Sequence, residues 1–103
     1  MSPNDAPPIR IRIIRKGNGL VQVLPYPAIL ASGETFRIVN ASGEDAQIIF
    51  SSELIQPVKS NISARRFETY KAGAGPAYVE FDVVLGSGHC AEGGSRPGAI
   101  IDP

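Results

Sequence analysis

Residues that build metal and redox sites are scarce in this chain. Its 103 residues include one Cys, one His, one Met and no Trp. A single thiol cannot form a disulfide within the chain, and one Cys with one His provides two of the four soft ligands that a structural zinc site needs. The composition therefore excludes a small fold held together by disulfides, and equally one held together by zinc.

A charge excess of either sign is also missing. Ten Lys and Arg residues balance ten Asp and Glu residues, so the formal net charge at pH 7 is zero. Proteins that bind nucleic acid or anionic membranes normally carry a basic excess, and no apolar run approaches the roughly 18 residues of a membrane-spanning helix. We therefore expect no nucleic-acid partner and no membrane insertion.

The first eight residues differ in composition from those that follow. Residues 1–8 include Pro3, Pro7 and Pro8 and contain no apolar run, so we expect a disordered tail and not a signal peptide. Residues 9–103 are predicted to form a single domain, since a chain of this length supports one hydrophobic core. These features do not indicate a cellular compartment.

The dominant hydrophobic period along the chain is two, which is typical of strands. From residue 9 the sequence alternates, placing Ile9, Ile11 and Ile13 on one face and Arg10 and Arg12 on the other. The same alternation recurs between turns rich in Gly and Pro. These patterns predict seven short strands, at residues 9–16, 20–24, 35–40, 46–51, 62–71, 77–85 and 99–101.

Strands at this spacing predict an all-β fold, a single antiparallel Greek-key β-sandwich of about seven strands. Residues 52–60 are predicted to cross between strands with a short helical turn that Pro57 stops. The inward positions of the strands give the expected core: Ile11, Ile13, Val23, Phe36, Ile38, Ile48, Phe50, Val79, Phe81, Val83, Leu85 and Ile100.

Two segments of the chain resemble the cupredoxins, the blue-copper family of β-sandwiches. Residues 33–50 are similar to the family's Gly-Asp-Thr-Val strand, its Asn-bearing turn and the segment that carries the first copper-binding His. Residues 78–81, the loop after them and residues 98–101 resemble the closing copper loop and the last strand. The resemblance implies a cupredoxin-like fold.

The copper ligands of that family are not matched in this sequence. A blue-copper site needs two imidazoles and a thiolate, with a weak axial Met, and this chain has one His. Ala46 stands at the first His position, and the thiolate position falls at Asp82 or Val83 according to the register. We therefore expect a cupredoxin-like domain without a type 1 copper site, and no cofactor is predicted.

One cluster keeps an alternative open. His89, Cys90 and Glu92 lie within a Gly-rich loop and together offer an imidazole, a thiolate and a carboxylate to a transition metal. The other reading is an ordinary loop His beside a small thiol that packs like a hydrophobic residue. A nucleophilic Cys–His pair needs a third group that orients the His, and adjacent residues in extended backbone point apart, so we expect no enzyme.

Charged residues on the predicted strands suggest a surface role. Arg10, Arg12, Arg15 and Lys16 form a local basic strip to which Arg65 and Arg66 add, and such a strip either protects an edge strand against aggregation or binds a partner. Glu80 and Asp82 are read as solvent-facing residues, with a cross-strand pairing to Arg65 or Arg66 as the alternative. The predicted function is a non-catalytic binding or protein-interaction module with an unidentified protein partner. The alternative is a copper or zinc carrier or sensor that uses His89 and Cys90.

Overall fold

A computed structural model describes residues 9–15, 21–88 and 97–103 of the chain. These residues form ten strands and two five-stranded sheets. In chain order the strands are β1 (Ile9–Arg15), β2 (Val21–Leu24), β3 (Ala28–Ala31), β4 (Thr35–Asn40), β5 (Ala46–Phe50), β6 (Ile55–Gln56), β7 (Lys59–Ile62), β8 (Phe67–Ala72), β9 (Ala77–Leu85) and β10 (Gly98–Asp102). The all-β prediction is confirmed, and the described residues contain no helix.

The two sheets have different strand sets. The first sheet has the order β2-β1-β4-β8-β6, and the second has the order β3-β10-β9-β5-β7. Most neighbouring strands are antiparallel, but β1 pairs with β4 in parallel and β10 pairs with β3 in parallel. The parallel pairs bring segments that are distant in sequence to lie side by side in each sheet.

The hydrophobic core lies between the sheets and follows the predicted alternation. Every predicted core residue is buried except Ile100, which is half-buried on the outer side of β10. Its neighbours Ala99 and Ile101 are fully buried instead. All three residues of the run Ala-Ile-Ile are apolar, so alternation in the sequence could not show whether Ile100 or its two neighbours point inward. The pairing of Ile101 with the buried Leu30 on β3 decides this in favour of the neighbours.

Three strands were not foreseen, and each is short. β3 follows directly on Pro27, in a stretch to which the sequence analysis assigned no strand. The helical turn expected within residues 52–60 is replaced by β6 and β7, with Ile55 buried and paired to Ala72. Segments of two to four residues are too short for a period to be recognised.

The single strand expected over residues 62–71 is in fact the end of β7, a turn, and β8. Arg65 adopts a φ of 64° in this turn, which reverses the chain as it passes from the second sheet to the first. The predicted centre of the strand, from Phe67 to Tyr70, does lie in β8. The other strands match their predicted positions to within one or two residues at each end.

A column of four aromatic rings joins the two sheets. Phe36 and Tyr70 of the first sheet stack with ring centroids 5.5 Å apart. Phe50 of the second sheet meets Tyr70 edge-on at 5.3 Å and Phe81 at 5.0 Å. The column carries its one buried hydroxyl at Tyr70, which shares a hydrogen bond with the Ser60 hydroxyl on β7. This bond links the sheets on the side where β7 and β8 meet.

We expect the stability difference between the wild-type protein and Tyr70→Phe to fall to zero and then change sign as the pH rises from 10 towards 12. Burial raises the pKa of the Tyr70 phenol from 10.0 to about 12, although the hydrogen bond with Ser60 lowers it. The folded state thus holds this proton more tightly than the unfolded chain, and that stability is present below pH 10 and lost as the pH rises towards 12. Near pH 7 the variant should be less stable by about 1 kcal/mol, the value of one hydrogen bond.

Urea denaturation of both proteins at several pH values between 7 and 11.5 measures this difference. All other ionisable residues are shared by the two proteins, so their effect on the unfolding free energy cancels in the difference. A difference in unfolding free energy that stays constant up to the highest pH would contradict the role given to Tyr70.

Candidate interaction surface

The described residues at and around the position of the family's first copper ligand are apolar. Ala46 is buried and lies opposite Leu85 of β9 and Ile62 of β7. The register places Val83 inward, paired with Ile48, and turns Asp82 to the outer side. Methyl and isobutyl groups have no lone pairs, so these residues do not fit a copper ion.

A hydrogen-bond network holds this end of the sandwich together. The buried Asn40 side chain donates from Nδ2 to the carbonyls of Glu44 and Ile62, at 2.6 and 2.9 Å. Its Oδ1 accepts from the amide and the hydroxyl of Ser42, at 3.1 and 2.6 Å. Asn40 therefore joins the β4–β5 turn to the end of β7 in the other sheet.

His89, Cys90 and Glu92 fall outside the residues that the structure describes. Within the described ranges, no three His, Cys, Asp or Glu residues are grouped so that they could hold a metal ion. The metal carrier or sensor that uses this loop therefore stays a prediction.

The candidate interaction surface is the outer face of the first sheet, which carries several cationic side chains. Arg10 and Arg37 are direct partners across the parallel β1–β4 pair, which places their β-carbons about 5 Å apart. Arg12 is two residues further along β1, at about 7 Å from Arg10. Lys71 lies diagonally beyond Arg37, because Thr69 and Thr35 pair with Arg37 and Lys71 respectively. We call Arg12, Arg10, Arg37 and Lys71 the basic stripe.

No acid interrupts the basic stripe. The outward positions of the five strands in the first sheet hold no Asp or Glu, and Glu68 belongs to the inward series of β8 with Tyr70. Among the described residues, no carboxylate forms an ion pair with any of the four cations. Like charges on directly paired residues disfavour each other, so the folded chain retains a local excess of positive potential here.

Phe67 gives the stripe an ordered, partly apolar border. The Arg37 guanidinium carbon lies 4.5 Å from the centroid of the Phe67 ring, a cation–π contact that restricts the arginine side chain. Phe67 is 52% exposed although it is a large apolar residue. It forms a row with Val39 and Arg12, and Leu24 completes that row on β2.

The basic strip predicted from sequence is divided by the fold. Arg10 and Arg12 lie on the outer face, but Arg15 forms an ion pair with Glu44 at the end of the sandwich. Lys16 lies outside the described residues. Arg65 and Arg66 are exposed in the turn that enters β8, next to the stripe. The protection of an edge strand does not apply to Arg12 and Arg15, which pair with β2, whereas Arg10 lies in the part of β1 for which the described residues show a partner on β4 alone.

Glu80 and Asp82 are on the opposite side of the molecule from these arginines. Both occupy outward positions of β9, which is a central strand of the second sheet. Arg65 and Arg66 precede β8 in the first sheet, so a cross-strand pairing with Glu80 or Asp82 does not occur. The alternation read from the sequence is confirmed for both residues.

Sequence reasoning did not find Arg37, Lys71 and Phe67 as members of this surface. Alternation along the strand does mark each of them as outward: Arg37, for example, lies between the buried residues Phe36 and Ile38. What the alternation cannot reveal is that β4 lies between β1 and β8, which brings the three segments together.

Comparisons with known proteins identify the fold. No protein-family model matches the sequence, and no curated protein matches it. Three solved structures of amicyanin variants with Cu(I) are similar to this one, each with a TM-score of 0.59 and 8% sequence identity. Each similarity covers 99% of this chain and 90% of the amicyanin chain. In the described part of the chain, no helix has the length and apolar character to cross a membrane. Since amicyanin is a cupredoxin, these similarities show that the chain has a cupredoxin-like fold.

Proposed function

We propose that this protein is a non-catalytic interaction module whose basic stripe docks on an acidic protein surface. The observation that carries the proposal is the set of four cations on one sheet face with no acid among the outward positions of its strands. A partner that brings carboxylates to this face relieves the repulsion between Arg10 and Arg37. Arg forms bidentate hydrogen bonds with carboxylates, which gives such a contact a defined geometry.

The contact between Arg37 and Phe67 favours a polypeptide partner over a nucleic acid. Arg37 is held on Phe67, so less side-chain entropy is lost when it binds. Exposed Arg and aromatic residues are also those that contribute most to protein interfaces. Single-stranded nucleic acid needs free aromatic rings for its bases to stack on, whereas the one ring beside the stripe is already covered by Arg37.

Arg10→Glu is expected to weaken binding to an acidic polypeptide at least fivefold, because it reverses a charge at the centre of the stripe. The probe is a poly-glutamate peptide of about 20 residues, followed by NMR through the backbone amide shifts at low ionic strength. Shifts should be confined to the strands of the first sheet, and binding should weaken as salt is added because the contacts are exposed.

Lys59→Glu is the matched control. Lys59 is also an exposed cation on a strand, and its replacement by Glu changes the net charge by the same amount. It lies on β7, at the edge of the second sheet. Its effect should stay within about twofold. Equal losses in the two variants would mean that only net charge matters and would overturn the proposal. Tighter binding of a single-stranded oligonucleotide, or of vesicles with anionic lipid, would overturn the choice of a protein partner.

A further inference from the structure

The outer face of the second sheet is the counterpart of the basic stripe. Ile29, Ile100 and Tyr78 form one row across β3, β10 and β9, with Ile29 55% and Tyr78 51% exposed. The phenol end of the Tyr78 ring lies over Gly98, since a β-carbon there would come within 2.2 Å of the phenol oxygen. The Tyr78 hydroxyl is also 3.4 Å from that of Tyr26. This face therefore carries an exposed apolar row in which the Tyr78 ring is held by its neighbours.

Carboxylates flank this row on both sides. Glu80 lies two residues beyond Tyr78 on β9, and Asp102 lies two residues beyond Ile100 on β10. The outward positions of β3, β9 and β10 carry no Lys or Arg. We call Ile29, Ile100, Tyr78, Glu80 and Asp102 the Tyr78 face.

The two faces of the sandwich complement each other in charge and in apolar content. One carries the basic stripe beside the row of Leu24, Val39 and Phe67, and the other carries acids beside its own apolar row. The net charge of zero hides this separation, and it also removes the long-range repulsion that keeps many proteins apart.

We propose that copies of this chain associate face to face, with the basic stripe of one copy docked on the Tyr78 face of the next. The inference rests on the proposed function, because it names a second copy as the acidic surface that the stripe binds. The contact joins two different faces, so every assembly keeps a free basic stripe at one end and a free Tyr78 face at the other. Such a heterologous contact builds open chains and not a closed dimer.

The size of a sheet face sets the strength of this association. Five strands spaced at about 4.8 Å, each about five residues of roughly 3.3 Å, give a face of about 400 Å² per copy. The two faces together bury about 800 Å², which is below the size of stable interfaces and in the range of weak, transient contacts. Association should therefore need protein concentrations of tens to hundreds of micromolar.

Sedimentation velocity between 10 µM and 1 mM tests the proposal. We expect the mean sedimentation coefficient to rise with concentration without a plateau at the dimer, and to fall to the monomer value when salt is raised to about 0.5 M. Two double variants, Arg10→Glu with Arg37→Glu and Glu80→Lys with Asp102→Lys, should each be monomeric. An equimolar mixture of the two should associate again, because one retains the native basic stripe and the other the native Tyr78 face.

Circular dichroism checks that both variants keep a β spectrum. If a double variant unfolds, the salt dependence of the wild-type protein and its concentration-dependent amide shifts on both faces decide the question. A wild-type protein that stays monomeric at 1 mM overturns the self-association. Poly-glutamate binding that persists in that case, and that Arg10→Glu still weakens, leaves the proposed function standing.

Discussion

Replacement of Asn40 by Ala is expected to lower the free energy of unfolding by about 3 kcal/mol. The buried amide satisfies the carbonyls of Glu44 and Ile62 and two donors of Ser42. Glu44 and Ser42 are half-buried, so their groups regain water when the amide is removed. The bond from Asn40 to the Ile62 carbonyl is the one made in the interior, so its loss and the space left by the buried side chain account for most of the destabilisation.

Urea denaturation of Asn40→Ala beside Ser42→Ala measures this contribution. Ser42→Ala removes one hydroxyl and leaves both carbonyls bonded, so its cost should be about 1 kcal/mol. Asn40→Asp keeps the shape but replaces the donor by a carboxylate that faces two carbonyls, so at pH 7 it should cost at least as much as Asn40→Ala. Its loss should shrink at acid pH, where the protonated acid can donate one hydrogen bond. A loss below 0.5 kcal/mol in Asn40→Ala would contradict the role of this network.

Phe50→Ala is expected to cost about 3–5 kcal/mol, the range for a large buried ring replaced by a methyl group. Phe50 occupies the centre of the aromatic column, between Tyr70 of the first sheet and Phe81 of the second. Its removal leaves a cavity at the point where the two sheets are in contact. Since domains of this kind are stable by about 5–15 kcal/mol, the variant should lose a large part of its stability and melt well below the wild-type protein.

Phe67→Ala is the matched control, because it makes the same chemical change at a residue that is 52% exposed. It should cost less than about 1 kcal/mol, mainly the cation–π contact with Arg37. Thermal unfolding followed by circular dichroism compares the two variants, and Phe50→Leu should recover most of the stability. Similar melting temperatures for Phe50→Ala and Phe67→Ala would mean that the column does not hold the sheets together.

These stability variants separate the fold from the proposed surface. Asn40 and Phe50 are buried and belong to neither the basic stripe nor the Tyr78 face. Arg10, in contrast, is an exposed residue whose backbone pairs with Arg37 on β4. A change at Arg10 should therefore alter binding with little change in unfolding free energy, since surface substitutions usually shift it by less than about 0.5 kcal/mol.

The fold class and the lack of a full set of copper ligands could both be derived from the sequence by itself. Alternation in residues 35–40 and 77–85 placed Phe36, Ile38, Val79 and Phe81 inward, and all four are buried. A period of two is a property of neighbouring residues and needs no knowledge of the partner strand. The shortage of imidazoles is a matter of composition, since one His cannot supply two.

Only the tertiary structure decided which strands are neighbours, and with that the candidate surface. Arg10 and Arg37 are distant in the chain and meet because β1 pairs with β4 in parallel. Alternation in each strand says which side a residue faces but not what lies beside it. Strand order depends on how apolar faces from the whole chain pack into one core, so the basic stripe and the Tyr78 face follow from packing and not from any local pattern.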